Sequence, residues 1–589
     1  MTVIKSKRVR PSRRVVRFLR TMKVSVWAKI SLCITPAILV MGCTASHYRK
    51  SADKEVSKII QEKQKKVFGQ TNAFTIETPY SHRKPDEIKA QEIVVDRLAS
   101  AKQVLSLPDA LRIAVQSNRP YQLRKENLYL SALTLTRERF AFTPQFFAGT
   151  TATGERSSNG DQTLRGNTRA GGDLLMKTGG RIGLDIANDL LRFYTGDPRR
   201  SAVSTISMNI VQPLLRGAGA KIAAENLTQA ERNVIYEIRN FSYYQSTFAF
   251  DTVSTYFRLL QQQDSVRNQY NNYLSLASYL KRQEALAVDR LARSQVDETR
   301  QSVLSARNNY ILAVTQYQSS LDQFKITLSL PLGYEVRLDE NTLKEVESVG
   351  LIAVSLAETE ANQTALDHRL DLLNEIDIFE DSKRKIKIAA DRLKPDLNLF
   401  ADASLQSDRP TDYAKFDLND YRLSGGVQLN LPISRLLERN SYRSALLSFE
   451  RQIRTLALFL DDVRDDIRTG LRSLEQASQT YEIQKNARAL ADRRVENSTI
   501  LMDAGRVDSR VLLDAQNAQV QAYNAVTKAL VDYHLARLRL LLHMGILKTE
   551  EEKFWLKVGA IPNKQPGAAT TQPTALSDDL ITPAQLFEK

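Results

Sequence analysis

From Ala220 to Leu330 the chain contains neither glycine nor proline. A run of ~110 residues without a breaker, rich in Ala, Leu, Gln, Arg and Glu, predicts long uninterrupted helices. A second run, 433–561, has no proline, and its glycines before Gly545 are Gly470 and Gly505. At 1.5 Å per residue, Ala220 to Asp289 makes ~100 Å of helix. A globular core has no use for that length, whereas a tube or stalk does. Glycine concentrates elsewhere: 12 of the 23 lie between Phe146 and Gly219.

The same order of signals occurs twice. A helix at about 122–143 stops at Pro144, strand-like text runs to Pro213, and a long helical run follows to Pro331-Leu332-Gly333. In the second half a helix at about 365–393 stops at Pro395, strands run to Pro432, and a second long run ends near Gly545. Asp289 lies 76 residues past Pro213 and Gly505 lies 73 past Pro432; Gly333 and Gly545 lie 120 and 113 past the same prolines. A duplicated unit of ~215–250 residues explains this spacing most economically. Most of the difference falls before Pro213, where about 30 extra residues between Gly154 and Arg200 read as an extracellular loop or as longer strands.

The strands declare themselves by period two. Tyr421, Leu423, Gly425, Val427, Leu429 and Leu431 alternate with Arg422, Ser424, Gly426, Gln428 and Asn430. Leu397 to Leu405 and Ile206 to Ile210 alternate in the same way. One apolar and one mostly polar face describes a half-buried strand, in a soluble sandwich or a membrane barrel alike. Four such strands are too few for a sandwich in a chain of this length. The helices carry seams: Leu446, Phe449, Ile453, Leu456 and Leu460 step by three and four, and Ala515, Ala518, Ala522, Ala525 and Ala529 form a small-residue stripe. Such stripes permit close helix packing and carry no chemistry.

Composition narrows the class. Of the 589 residues 42% are hydrophobic and 25% charged, and no second apolar run approaches the ~20 residues of a membrane-spanning helix. The formal charge of +16 is concentrated in residues 1–42, which hold ten Lys/Arg and no acid. A nucleic-acid binder keeps its basic patch in the folded part, so that class is excluded. The basic leader followed by the short apolar stretch Ile30–Met41 reads as an export signal. It ends Leu39-Val40-Met41-Gly42-Cys43, which resembles a lipobox with Val40 in place of the usual Leu; the plain alternative is a signal peptide with an incidental cysteine. Cys43 is the expected lipidation site, because cleavage would leave it as the sole cysteine. Two cysteines and five scattered histidines give no metal-ligand spacing, and no motif calls for a cofactor.

Leu105-Ser106-Leu107-Pro108-Asp109-Ala110-Leu111, with Ala114 and Ser117-Asn118, resembles the opening helix of the TolC family of outer-membrane efflux proteins. Ile210-Val211-Gln212-Pro213-Leu214-Leu215-Arg216-Gly217 and Leu429-Asn430-Leu431-Pro432-Ile433 resemble its two strand-to-helix junctions, with Pro213, Gly217 and Pro432 as markers. Ala504 to Gln516, with Gly505-Arg506-Val507-Asp508, resembles the turn between its second pair of long helices. The resemblance covers about 104–547. It implies a mixed α and β membrane fold: a homotrimer whose chains each give four strands to a shared twelve-stranded outer-membrane barrel, continued by a periplasmic tunnel of coiled-coil helices. It also implies a periplasmic adaptor and an inner-membrane pump as partners, and outer-membrane lipid around the barrel. By the same resemblance Asp514, Asp508, Arg506, Gln295 and Ser294 are candidates for the periplasmic aperture, and Gly505, Val507, Asp289 and Leu291 for adaptor contacts at the hairpin tips. The plain alternative for Asp514 is a solvated helix charge, and Asp508 and Arg506 read equally as surface charges or as contacts to a partner hairpin. One turn before it stands Val511, which puts a doubled acidic ring in doubt.

The expected division is a lipoprotein signal peptide at 1–42, a tether and irregular lead-in at 43–103, a first repeat at 104–333, a linker at 334–364, a second repeat at 365–547, and a C-terminal segment at 548–589 with a disordered tail from about 562. The favoured function is a passive export duct, lipid-anchored in the outer membrane and reaching into the periplasm, serving either efflux or type I secretion. The competing reading is a periplasmic coiled-coil adaptor or stalk, which gives no reason to duplicate a helix–strand–strand–helix unit. An enzyme is disfavoured because no nucleophile elbow, phosphate loop or paired-carboxylate cleft is present.

Overall fold

The computed structural model describes residues 45–71, 74–158, 162–193, 200–286, 293–354, 356–408 and 414–557. The signal segment, Cys43, Asp289, Leu291 and the expected disordered tail lie outside the described residues.

The described residues open with helix α1 (Ala45–Phe68), where an irregular tether was expected. Val56, Ile59, Ile60 and Lys63 of α1 are buried, and the Tyr129 hydroxyl donates to Asp53 at 2.7 Å. The i, i+3, i+4 spacing of the apolar residues supplies one packing face, although the helix is otherwise strongly polar. After α2 (Ala90–Leu98), the short strand β1 (Lys102–Leu105) leads into α3 (Leu107–Ser117) and α4 (Arg119–Phe140). Ser106 caps α3 by accepting from the Asp109 amide, and Asn118 caps α4 by accepting from the Tyr121 amide at 2.8 Å. Pro144 stops continuation of α4, as its position predicts.

Four antiparallel strands follow: β2 (Gln145–Arg156), β3 (Gln162–Leu175), β4 (Arg181–Phe193) and β5 (Arg200–Pro213). Then come the 62-residue helix α5 (Glu225–Leu286) and the 35-residue α6 (Arg293–Thr327). The second half begins with β6 (Glu335–Leu338), α7 (Asn341–Val349), α8 (Glu358–His368) and α9 (Leu370–Asp391). The single helix expected at about 365–393 is therefore broken, at Arg369, whose backbone is extended. Strands β7 (Asp396–Ser407) and β8 (Phe416–Asn430) lead to the 68-residue α10 (Leu436–Asp503) and the 35-residue α11 (Ser509–His543). At 1.5 Å per residue α5 and α10 are each about 100 Å long.

The main sheet has the order β2-β3-β4-β5-β7-β8, antiparallel throughout. This corrects the expected four strands per chain. The extra residues after Gly154 are neither a loop nor an extension of two strands; they form the additional hairpin β3–β4. A second, parallel sheet pairs β1 with β6 and so joins the two halves at mid-body. There the largest core gathers, with Leu107, Leu128, Tyr256, Phe257, Phe324 and Leu538 buried among α3, α4, α5, α6 and α11. The Tyr256 hydroxyl donates to the Leu105 carbonyl at 2.9 Å, satisfying its polar end inside that core.

Both 35-residue helices end alike. Gly545 has φ +73° and its amide bonds Leu542 O, while Ile546 N bonds Leu541 O; after α6, Ser329 has φ +58°, Ser329 N bonds Ile326 O and Leu330 N bonds Lys325 O. These paired bonds are Schellman closures. The structural counterpart of Gly545 is thus Ser329, not Gly333.

Candidate functional site

Each strand of the main sheet turns mainly apolar or small residues to one face. Leu184 pairs with Met208, Ile186 with Ile206, Leu399 with Val427 and Ala403 with Leu423 on one face. Phe146 and Ala148 of β2 lie on it opposite Gly172 and Ala170. The large side chains on this face stand open: Phe146, Leu184, Ile186, Leu399 and Leu423 are all exposed. The opposite face is polar. Arg165 binds Asp189 at 2.6 Å, Arg169 binds Asp185 at 3.1 Å, and the Ser207 hydroxyl donates to Asp185 at 2.8 Å. Asn209, Asp402, Ser404 and Arg422 continue that face into β5, β7 and β8. An antiparallel sheet with one mainly apolar, exposed face and one charged face is built to separate an apolar medium from water. The edge strands β2 and β8 have one neighbour each.

The junctions beneath the sheet are held by specific polar contacts. Pro213 ends β5, and the next amide, Leu214, donates to Leu397 O at 2.7 Å. Gly217 has φ +76°, and its N–H donates to the buried Asp391 carboxylate at 2.7 Å. The matching junction at Pro432 is held by Arg435, which donates to Pro432 O and Leu393 O. Below them Asp381, 2% exposed, accepts from Arg384 at 2.6 Å, from the Tyr236 hydroxyl at 2.7 Å and from Gln229 at 3.0 Å. Burial and this carboxylate push the Tyr236 phenol above its ordinary range. A buried charge with this many partners fixes α5 against α9. On α11, His534 is buried with Nε2 on the Gly350 carbonyl at 3.1 Å; burial, and then the Arg537 charge, push it down to about 4.

The far end of the helices holds the sequence-predicted aperture residues. Gly505 has φ +69°; Gly505 N bonds Met502 O and Arg506 N bonds Leu501 O, again a Schellman closure. Arg506 and Asp508 are exposed and Val507 is half-buried, with Asp508 at the N-terminal boundary of α11. Ser294 and Gln295 stand on the first turn of α6, the former exposed and the latter half-buried. The described tip thus gathers Gly505 to Asp508 and the start of α6 at one end of the molecule. Asp514 is exposed on α11, on one face with Val511, Asn517 and Gln521, while its neighbours Leu512, Leu513 and Ala515 are buried.

What sequence reasoning missed is a buried polar clamp across both hairpins. Gln283 of α5 donates to Ser509 of α11 and to the Tyr279 hydroxyl, and accepts from Thr299 of α6; Tyr279 in turn donates to Met502 Sδ. Gln283, Thr299 and Ser509 are 1%, 0% and 3% exposed. Leu276, Ala306, Leu512 and Leu513 form an apolar cluster with Tyr279 beside the clamp. No local signal marks these residues, because the Gln283–Ser509 contact spans 226 positions.

Among the described residues no helix is long and apolar enough to cross a membrane, and no group of His, Cys, Asp and Glu is placed to hold a metal ion. No protein-family model and no curated protein matches the sequence. Solved structures do match in fold. The CmeC outer membrane channel of Campylobacter jejuni has a TM-score of 0.55 at 14% identity, covering 74% of this chain and 85% of that one. The open state of the MtrE outer membrane channel of Neisseria gonorrhoeae has a TM-score of 0.55 at 13% identity, over 74% and 88%. The outer membrane protein VceC of Vibrio cholerae gives 0.53 at 13%, over 74% and 96%. With two helices of about 100 Å, each paired with a shorter return helix, under an antiparallel sheet, this chain has the fold of the TolC-type outer-membrane channels.

Proposed function

We propose that the chain is the outer-membrane duct of a tripartite export assembly. Three copies close the sheet into a barrel and the helices into a periplasmic tunnel. A periplasmic adaptor meets the hairpin tips, and an inner-membrane pump delivers small molecules or proteins. Cys43, lipidated after signal cleavage, adds an anchor in the same membrane. The duct performs no chemistry of its own. The equal lengths of α6 and α11 support an origin by internal duplication.

The observation that carries this reading is the sheet. It has an apolar face, a charged face and two unpaired edges. In hydrocarbon an open edge leaves backbone groups without partners, each at a cost of several kcal/mol. Other copies of the same sheet remove that cost by pairing β8 of one with β2 of the next. A periplasmic adaptor or stalk has no use for an exposed apolar sheet of this extent.

In this assembly the exposed face of α11 bearing Asp514 turns toward the aperture. Three carboxylates around a narrow opening concentrate cations and repel anions. Planar-bilayer recording of the purified protein tests the reading. We expect an ion-conducting, cation-selective pore blocked by multivalent cations, with the block weakened by Asp514→Ala and unchanged by Asp465→Ala. Membrane-inserted protein that conducts no ions contradicts the duct. Unchanged selectivity and block in Asp514→Ala makes that residue a surface charge.

A further inference from the structure

The hairpin β3–β4 lies between β2 and β5, so it separates the strands that would otherwise be neighbours. Its place in the wall is fixed on all sides. Twelve residue pairs join β2 to β3, thirteen join β3 to β4, and twelve join β4 to β5. Its lower turn is docked on the strand-to-helix junction: Gly219 N donates to Thr178 O at 3.0 Å, and the Thr178 hydroxyl donates to Gln212 at 3.1 Å. The fit there is tight. Gly179 has φ +93°, and a Cβ at that position would lie 2.6 Å from Gly217 O.

The hairpin also follows the division of faces, apart from Thr168 and Asn188, which pair with each other on the apolar side. Ile182, Leu184, Ile186 and Leu190 of β4 share the apolar face, paired with Ile210, Met208, Ile206 and Ala202. Arg165, Arg169, Asp185 and Asp189 share the charged face, where they form two ion pairs. An extramembranous flap has no reason to keep four large apolar side chains in register with those of β5. With 13 residues, β4 rises about 33 Å at a tilt of ~40°, enough for an apolar band of ~25 Å.

We propose that β3–β4 is part of the transmembrane wall, so that the closed barrel has eighteen strands and not twelve. The inference rests on the three-copy duct reading above. With strands ~4.8 Å apart and tilted by ~40°, twelve strands close at a diameter of about 24 Å and eighteen at about 36 Å. The outer opening is therefore about one and a half times as wide as β2, β5, β7 and β8 alone would make it. The Arg165–Asp189 and Arg169–Asp185 pairs line its wet side, in three sets around the ring. A lumen of this width suits bulky polar cargo.

Electron cryo-microscopy of the wild-type protein in lipid nanodiscs counts the strands directly. We expect eighteen in a ring of three chains. Replacement of 157–199 by a short Asn-Gly loop should give twelve and shrink the ring diameter by about a third. If that variant does not assemble, single cysteines in the wild-type background give an independent readout. Leu184→Cys should resist a membrane-impermeant maleimide and bear a fluorophore quenched by brominated lipid, whereas Ala187→Cys should react from the aqueous side. A three-chain ring of twelve strands, or Leu184→Cys reacting freely with the maleimide, overturns this inference and leaves the duct reading standing. Protein in lipid without any closed barrel overturns both.

Discussion

α6 and α11 are each 35 residues long, whereas the sheet regions preceding their hairpins differ: the first half sends four strands into the sheet and the second sends two. Helical hairpins that share a clamp such as Gln283–Ser509–Thr299 must bring their tips to one level. An insertion in one helix would carry its tip past the other's and leave the buried amide of Gln283 unpaired. A sheet is more permissive. A complete hairpin adds two strands, returns the chain to the side it left, and continues both the ladder and the alternation of faces. The halves thus differ where an addition preserves every neighbour's hydrogen bonds, and match where it would not.

Breaking the first half's extra strands should cost as much as breaking the second half's shared ones. Leu184→Arg on β4 and Leu423→Arg on β8 put a charge on the apolar face, and each should cost about 2–4 kcal/mol per copy near the membrane midplane. Ser424→Arg, on the charged face opposite Asp402, should be nearly neutral. Urea titration of protein refolded into vesicles measures all three. A harmless Leu184→Arg beside a damaging Leu423→Arg would show that β4 does not meet lipid.

The helix ends give the next largest effects. At Gly545 a Cβ would lie 2.8 Å from the backbone of His368 and Arg369, and φ is +73°. Gly545→Ala should therefore cost about 3 kcal/mol through left-handed strain and overpacking together. Gly505 at the tip has φ +69° with nothing within 4 Å of its Cβ position, so Gly505→Ala should cost only about 1 kcal/mol. Ser329, the counterpart of Gly545, holds φ +58° with a side chain. Ser329→Gly should stabilise by about 1 kcal/mol by removing that strain, visible as a raised urea midpoint.

The last effect concerns pH. His534 is held at about 4 against an ordinary 6.5, so the unfolded chain binds more protons between those values. Its neutral burial contributes full stability above pH 6.5, and that contribution declines as pH falls from 6.5 toward 4. His534→Gln should make the acid branch of the stability profile shallower over that window. An unchanged branch would assign acid sensitivity to other groups, His543 first, which burial also lowers.

The helices were legible because breaker-free text has one reading, and β5, β7 and β8 because strict alternation survives in their sequences. β4 also alternates, as Ile182-x-Leu184-x-Ile186, but Asn188 interrupts its apolar face. That residue is tolerated because its side-chain amide donates to Ser204 on the adjacent strand at 2.7 Å, a partner set by register and absent from any local pattern. β3 carries Gly166, Gly171 and Gly172 and has too few large residues to show a period. The α1 helix hid behind its lysines, with only Val56, Ile59 and Ile60 marking its buried side. Gly505 to Asp508 were readable as a tip because the left-handed turn needs its glycine. The Gln283 clamp was not, since its partners come from separate helices.

The mass of the protein purified in detergent tests the account most directly. In the proposed duct the sheet's open edges are closed by other copies of the chain, so the account predicts a single species of three processed protomers whose β8 and β2 edges crosslink between chains. A monodisperse monomer that keeps its helices and its six-stranded sheet would contradict it.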